Sequence, residues 1–190
     1  QDGEILVRGP NVFTGYFKDP EATAAALRDG WLHSGDVGVF DQDGHLRITD
    51  RKKDIFITAA GKNIAPQYIE NKLKFSPYIN DAVVIGDRRR YLVALIVIDE
   101  ENVTEWAQDR RLPFTTYTAL SQHDEVRELI AREVEAVNKT VSSPEQVKKF
   151  AILPKRLYAE DGEVTPTLKV KRKAIMEKYA DLIEPLYASA

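Results

Sequence analysis

Two aliphatic stretches decide what this chain can fold into: Ile79 to Gly86 and Tyr91 to Asp99, separated only by Asp87-Arg88-Arg89-Arg90. Both read as β-strands, and so short a polar separator between them predicts a hairpin. The pair is expected to form the core of a lobe. Its longest apolar run, Tyr91 to Ile98, falls far short of the roughly 18 residues that a membrane-spanning helix needs.

Everything else is arranged around that hairpin. On its C-terminal side, Asn102 to Arg110 predicts a short helix. Asp124 to Val141 predicts a longer one, with Val126, Leu129, Ile130, Val134, Val137 and Val141 repeating at three and four. Lys149 to Leu153 is a third strand, Glu160-Asp161-Gly162-Glu163 an exposed turn, Thr165 to Lys171 an extended basic segment, and Arg172 to Ile183 a final helix. On its N-terminal side, Pro66 to Phe75 predicts a helix stopped by Ser76-Pro77. Earlier still, Glu4 to Arg8 reads as a strand. Asp19-Pro20-Glu21 starts a helix that runs through Arg28 and stops at Gly30, and Val37 to Phe40 and His45 to Thr49 are strands joined by Asp41-Gln42-Asp43-Gly44. Residues 1 to 49 thus predict an antiparallel β piece with one helix, whose strand edges a larger body would have to cover.

Between the two halves lies a joint, Asp50 to Glu70. A run of five charged or basic residues, Asp50 to Asp54, reads as a solvated hinge. A short buried strand, Ile55 to Ile57, follows, then a loop whose Gly61 permits unusual backbone torsion, then the helix opened by Pro66. The expected fold class is α+β, with residues 1–50 an antiparallel β segment and residues 51–190 a small α/β domain built on a three-stranded sheet flanked by helices.

Composition removes whole function classes. The 190 residues are 43% hydrophobic and 30% charged, which is globular, and a net charge of -3 gives no general attraction to nucleic acid. Without Cys there is no disulfide framework, thiolate nucleophile or cysteine metal site, and His33, His45 and His123 make no metal-spaced cluster. No metal site is expected in the chain. It opens Gln-Asp-Gly-Glu-Ile-Leu-Val without an initiating Met, and is expected to be part of something longer.

Three pieces resemble the adenylate-forming superfamily of acyl-CoA and aryl-CoA synthetases, peptide-synthetase adenylation domains and luciferases. They are Gly30 to Gly38, with its aromatic followed by Gly-Asp; Asp50 to Glu70; and Thr165-Pro166-Thr167-Leu168-Lys169-Val170-Lys171-Arg172. Their order and spacing match, over essentially the whole chain. Lys-Val-Lys stands where most of the superfamily has Ser-Gly-Lys, and the loop from Arg51 to Gly61 is one residue longer than in many short-chain and aryl relatives. Both variants are most like long-chain fatty acyl-CoA synthetases.

The resemblance implies a function and places residues in it. Residues 1–50 would end a large N-terminal body that holds the acyl pocket and binds most of ATP and Mg2+; residues 51–190 would be the complete C-terminal lid. Asp36 would bind the ribose hydroxyls of ATP and AMP, and Arg51 would contact ribose or phosphate. Lys53 would be the hinge, and Gly61, Lys62 and Asn63 would form the loop facing coenzyme A. Lys171 would be the catalytic lysine, with Lys169 its rival because both point to the same side of an extended segment. The bland alternatives are a turn-capping acid for Asp36, a solvated surface Arg for Arg51, a linker lysine for Lys53, a plain left-handed turn for Gly61, and a solvated basic strand for Lys169 to Lys173.

The implied reaction activates a fatty acid with ATP to acyl-AMP and pyrophosphate, then transfers the acyl group to coenzyme A. This chain alone would be inactive. The implied setting is cytoplasmic, with peripheral membrane association of the parent left open. Loading of a carrier protein uses the same motifs and is the near alternative. A non-enzymatic module touching nucleic acid through Lys169 to Lys173 is the distant one, opposed by the acidic pI and the lack of interleaved aromatics.

Overall fold

A ten-residue strand organises the first part of the chain. The computed structural model describes residues 3–188, and its contacts separate residues 1–55 from residues 56–190. In the first unit, β1 (Glu4–Val7), β2 (Leu27–Arg28) and β4 (Leu46–Arg51) all pair antiparallel with β3 (Trp31–Phe40). Helix α1 (Pro20–Ala26) starts as expected, with Asp19 accepting the Ala22 amide and Pro20 in the first turn.

The end of α1 corrects the sequence reading. The helix stops at Ala26 rather than Arg28, because Leu27 and Arg28 pair with Leu32 and Trp31 as a strand. Asp29 and Gly30 both have positive φ, 52° and 76°, which is the two-residue turn that suits the twist of a hairpin. Gly30 therefore turns a hairpin and does not cap a helix. The strand then runs unbroken from Trp31, six residues earlier than expected.

The charged run after it is also not a solvated segment throughout. Strand β4 continues through Asp50, which is buried, to Arg51. The expected buried strand at Ile55 to Ile57 shrinks to β5 (Phe56–Ile57), with Ile57 exposed, paired only with β6 (Asn63–Ile64).

The second unit is the expected three-stranded sheet flanked by helices. β7 (Ile79–Ile85) and β8 (Leu92–Ile98) form the antiparallel hairpin, and β9 (Val147–Ile152) joins β8 in parallel after a helical crossover. Every residue of β8 is buried because both faces are covered, which is why its sequence is continuously apolar instead of alternating. On one face Leu92, Ala94, Ile96 and Ile98 pack with α2 (Pro66–Leu73), α3 (Glu100–Asp109) and α5 (Asp124–Asn138), through Ile69, Leu73, Val103, Val126 and Ile130. A short α4 (Tyr117–Ser121), not anticipated, adds Leu120.

The opposite face, Val93, Leu95 and Val97, packs against Ile175, Tyr179 and Ile183. Ile175 comes from α6 (Arg172–Lys178) and Ile183 from α7 (Ala180–Ala188), with Tyr179 between them: two helices where the sequence predicted one. The chain breaks at Tyr179 (φ −109°, ψ 25°), where the ring joins this core and the hydroxyl turns to Glu163. Glu163 is wholly buried, so it does not belong to an exposed turn. Helix α5 ends at Asn138, before Val141. Among the described residues no helix is long and apolar enough to cross a membrane.

Candidate functional site

The hairpin register of the first unit sets Asp36 directly opposite Arg51. Arg51 Nε lies 2.8 Å from Asp36 Oδ1, so two residues singled out separately in the sequence meet at one spot. Their support is local and polar. The Asp36 amide donates to Ser34 Oγ at 3.0 Å, and the Arg51 amide to the buried Asp50 carboxylate at 2.6 Å. Gly35, at φ +73°, gives its carbonyl to the Lys52 amide and its amide to Glu4 Oε1.

Glu4 was not anticipated as part of this arrangement. Its side chain is only 7% exposed and also meets Lys52 Nζ at 2.8 Å and His33 Nδ1 at 3.2 Å. The Lys52 hydrogen bond outweighs burial, and with His33 and the Gly35 amide it holds the carboxyl below the usual range. The Asp36 carboxylate can accept from a vicinal diol while the Arg51 guanidinium beside it donates to a phosphate.

Lys53 is exposed in the turn that follows β4. Gly61 has φ +73° and nothing within 4 Å of where a Cβ would stand, so it is needed for the turn and not for close packing. The turn is closed by the Gly61 amide on Thr58 O and the Lys62 amide on Thr58 Oγ1. Lys62 and Asn63 are exposed. The loop is backed by the β7–β8 tip, with Ala59 N donating to Arg89 O and Arg88 N to Ile57 O.

The basic segment Thr165 to Lys171 is a tight hairpin, where an extended strand was expected. Leu168 N donates to Thr165 O, Lys169 N to Thr165 Oγ1, and Thr165 N to Lys169 O; Val164 bridges Val170; and Lys171 N reaches Glu163 O at 2.9 Å. Thr165, through both backbone and hydroxyl, closes the turn that the extended reading missed. The turn lies at Leu168, φ +59°, and beyond it Lys169 and Lys171 flank Val170 in an arm paired antiparallel with residues 163–165, so both stay on one side of that arm and both are exposed.

Lys171 occupies the N-cap of α6 and is followed by Arg172 and Lys173, with no acid in the first turn. Cations at a helix N-terminus oppose the helix dipole, so this choice of residues does not serve helix stability. Arg172 is not merely solvated. It bonds Glu70 Oε1 at 2.7 Å and Val84 O at 2.5 Å, tying the start of α6 to α2 and β7.

Under the hairpin, the buried Glu163 carboxylate receives Lys178 Nζ and Tyr179 Oη, each at 2.7 Å, Lys155 Nζ at 3.0 Å and the Tyr158 amide at 2.9 Å. Burial pushes its pKa up, but these donors outweigh burial and hold it at about 2. Sequence reasoning missed Glu163 because its side-chain partners come from two separated segments, Lys155 to Tyr158 and Lys178 to Tyr179. The one local signal was an acid placed between the turn glycine Gly162 and the apolar Val164.

Among the described residues, Asp41, Asp43 and His45 form an exposed group at the β3–β4 turn. Asp41 Oδ1 accepts the amides of Asp43 and His45, so the carboxylate closes the turn. Nothing further points to a bound ion.

Comparison with known proteins gives one consistent result. The profile of the AMP-binding enzyme C-terminal domain matches residues 53–190. Long-chain-fatty-acid–CoA ligase FadD15 of Mycobacterium tuberculosis is 44% identical over 98% of this chain and 31% of its own length. Human long-chain-fatty-acid–CoA ligase 6 is 41% identical over 98% of this chain and 27% of its own. The chain thus spans about a third of the length of the curated relatives it matches. Among solved structures, the adenylation domain of a carboxylate reductase from Mycobacterium chelonae superposes with a TM-score of 0.76 at 28% identity, covering 98% of this chain and 28% of that one.

Proposed function

The chain belongs to the AMP-binding enzyme C-terminal domain family, and from that premise we propose that it works as the lid of an ATP-dependent long-chain fatty acyl-CoA ligase. The rest of the ligase, including the acyl pocket and the groups that hold Mg2+ with ATP, lies outside these 190 residues. The described residues bring together no metal-ligating group except the turn around Asp41, so no step is assigned to a metal here. The observation that carries the proposal is the presentation of Lys171 and Lys169 from a closed hairpin, in a chain similar throughout to long-chain-fatty-acid–CoA ligases.

In the first half-reaction a fatty acid carboxylate attacks the α-phosphate of ATP, forming acyl-AMP and releasing pyrophosphate. Two anions are forced together in that step. The Lys171 ammonium, placed against both, offsets their repulsion as the charge develops. Asp36 holds the ribose hydroxyls and Arg51 the ribose or phosphate, so the α-phosphate is presented in a fixed orientation. In the second half-reaction the lid turns about Lys53, which withdraws Lys171 and brings up the loop of Gly61, Lys62 and Asn63. The thiol of coenzyme A attacks the acyl carbonyl, the acyl–phosphate bond breaks, and AMP leaves.

A second reading differs only in the acceptor. In it a carrier protein takes the acyl group in place of coenzyme A. Offering coenzyme A and a phosphopantetheinylated carrier protein to the full-length ligase, with fatty acid and ATP, separates the two. Acyl-CoA formation with no acylated carrier is expected; acylated carrier alone would contradict the ligase reading.

A further inference from the structure

The loop of Gly61, Lys62 and Asn63 has little structure of its own. The strands that flank it, β5 and β6, are two residues each and pair only with one another. So small a hairpin does not hold its shape alone in water. It is held from the β7–β8 tip, by two bonds that bracket Thr58, the residue that closes the loop. Arg88 N donates to Ile57 O and Ala59 N to Arg89 O, each at 2.9 Å. The tip is itself a tight turn, with Arg89 N on Gly86 O at 3.0 Å.

The tip is anchored in turn by the end of α7. The Arg89 guanidinium meets both oxygens of Glu184, NH1 on Oε2 at 3.2 Å and NH2 on Oε1, and its carbon lies 4.6 Å from the centre of the Tyr187 ring. Tyr187 Oη donates to Ile85 O at 3.1 Å, and Tyr91 Oη to Leu186 O at 2.7 Å. Both arms of the hairpin are thus tied to one helical turn. That turn follows Pro185, which removes a helical hydrogen bond and leaves it dependent on such anchors. The Arg89 and Glu184 side chains are 39% and 58% exposed, so the pair adds little to overall stability. What a forked, stacked guanidinium supplies there is a fixed geometry.

We infer that Arg89 is a positioning residue for acyl transfer to coenzyme A: its guanidinium fixes the hairpin tip to α7, and its carbonyl fixes the Gly61 loop to the tip. The inference rests on the role proposed above for that loop. Arg89 touches no substrate in this scheme. The thiol must meet the acyl carbonyl in a narrow range of positions, and an error of about 1 Å in such placement can cost as much as 100-fold in rate.

The test uses the full-length ligase and both half-reactions: adenylate formation from fatty acid and ATP, and thioester formation from preformed acyl-AMP and coenzyme A. Arg89→Ala is expected to lower kcat/KM for coenzyme A about 10-fold and to leave kcat/KM for ATP in adenylate formation unchanged. Arg89→Lys keeps the charge without the fork, and about a 3-fold loss confined to thioester formation is expected. Glu184→Ala approaches the same contact from the helix and is expected to match Arg89→Ala. If Glu184→Ala leaves thioester formation intact while Arg89→Ala impairs it, Arg89 acts on coenzyme A directly and positioning through α7 is wrong. Val134→Ala, in the core on the opposite face of the sheet, serves as a purely destabilising control. Equal losses in both half-reactions, as in that control, or intact thioester formation in Arg89→Ala would overturn the inference. Gly61→Val in the same assays tells the two claims apart. If it impairs thioester formation while Arg89→Ala and Glu184→Ala do not, positioning by Arg89 is wrong; if Gly61→Val itself leaves thioester formation intact, the loop assignment falls and the inference with it.

Discussion

Leu168 sits 74% exposed at the tip of the lysine hairpin with φ +59°. A branched side chain in left-handed backbone costs roughly 1–2 kcal/mol, and glycine would remove most of that at some cost in unfolded-state entropy. Leu168→Gly is therefore expected to raise the urea midpoint, by up to about 1 kcal/mol of stability; an unchanged or lower midpoint would show that the leucine is not strained. Legibility at this scale was uneven. Asp36 and Arg51 stood out because their motifs are contiguous, and the register then brought them to 2.8 Å. Glu163 and Glu4 stayed hidden because a buried acid reads, in sequence, like any surface acid. What distinguishes it is donors converging from distant segments, Lys155, Lys178 and Tyr179 in one case and Lys52 and His33 in the other.

The elements that were legible are those with one dominant physical signal. Continuous aliphatic runs defined β7 and β8, and three-four periodicity defined α5. The elements that were misread balance two signals. Leu27 and Arg28 continue a helical pattern, but the Asp29–Gly30 turn claims them as a strand, because two positive φ values close a hairpin there. Thr165 to Lys171 has the alternation of a strand, but the Thr165 hydroxyl and carbonyl fold it into a turn. The β7–β8 hairpin offers its own test at Gly86. A Cβ there would stand 2.3 Å from Leu92 Cδ2 and 3.0 Å from Phe56 Cε2, and Leu92 is fully buried and cannot retreat into solvent. Gly86→Ala is expected to destabilise the second unit by about 1–3 kcal/mol in chemical denaturation, and a change under about 0.5 kcal/mol would mean that the hairpin shifts to accept it.

For the molecule as a whole, acid is the sharpest probe of stability. The Glu163 carboxyl titrates at about 2 in the folded protein, against 4.5 for an unperturbed group. A depressed folded value means that the stabilisation is complete above about pH 5 and is lost as pH falls from there through about 2. The difference corresponds to about 3 kcal/mol, so the second unit is expected to lose roughly that much stability across this window. Glu163→Gln should flatten the acid limb; an equally steep limb in the variant would assign acid sensitivity to other carboxylates.

The whole-molecule account depends on one lysine. The most direct test measures adenylate formation and thioester formation separately in the full-length ligase, for the wild type, Lys171→Ala and Lys169→Ala. Loss of one such donor typically costs about 10²- to 10³-fold. The account predicts that Lys171→Ala loses adenylate formation by that amount and keeps thioester formation from preformed acyl-AMP, while Lys169→Ala keeps both. Adenylate formation that survives Lys171→Ala, or falls only with Lys169→Ala, would contradict it.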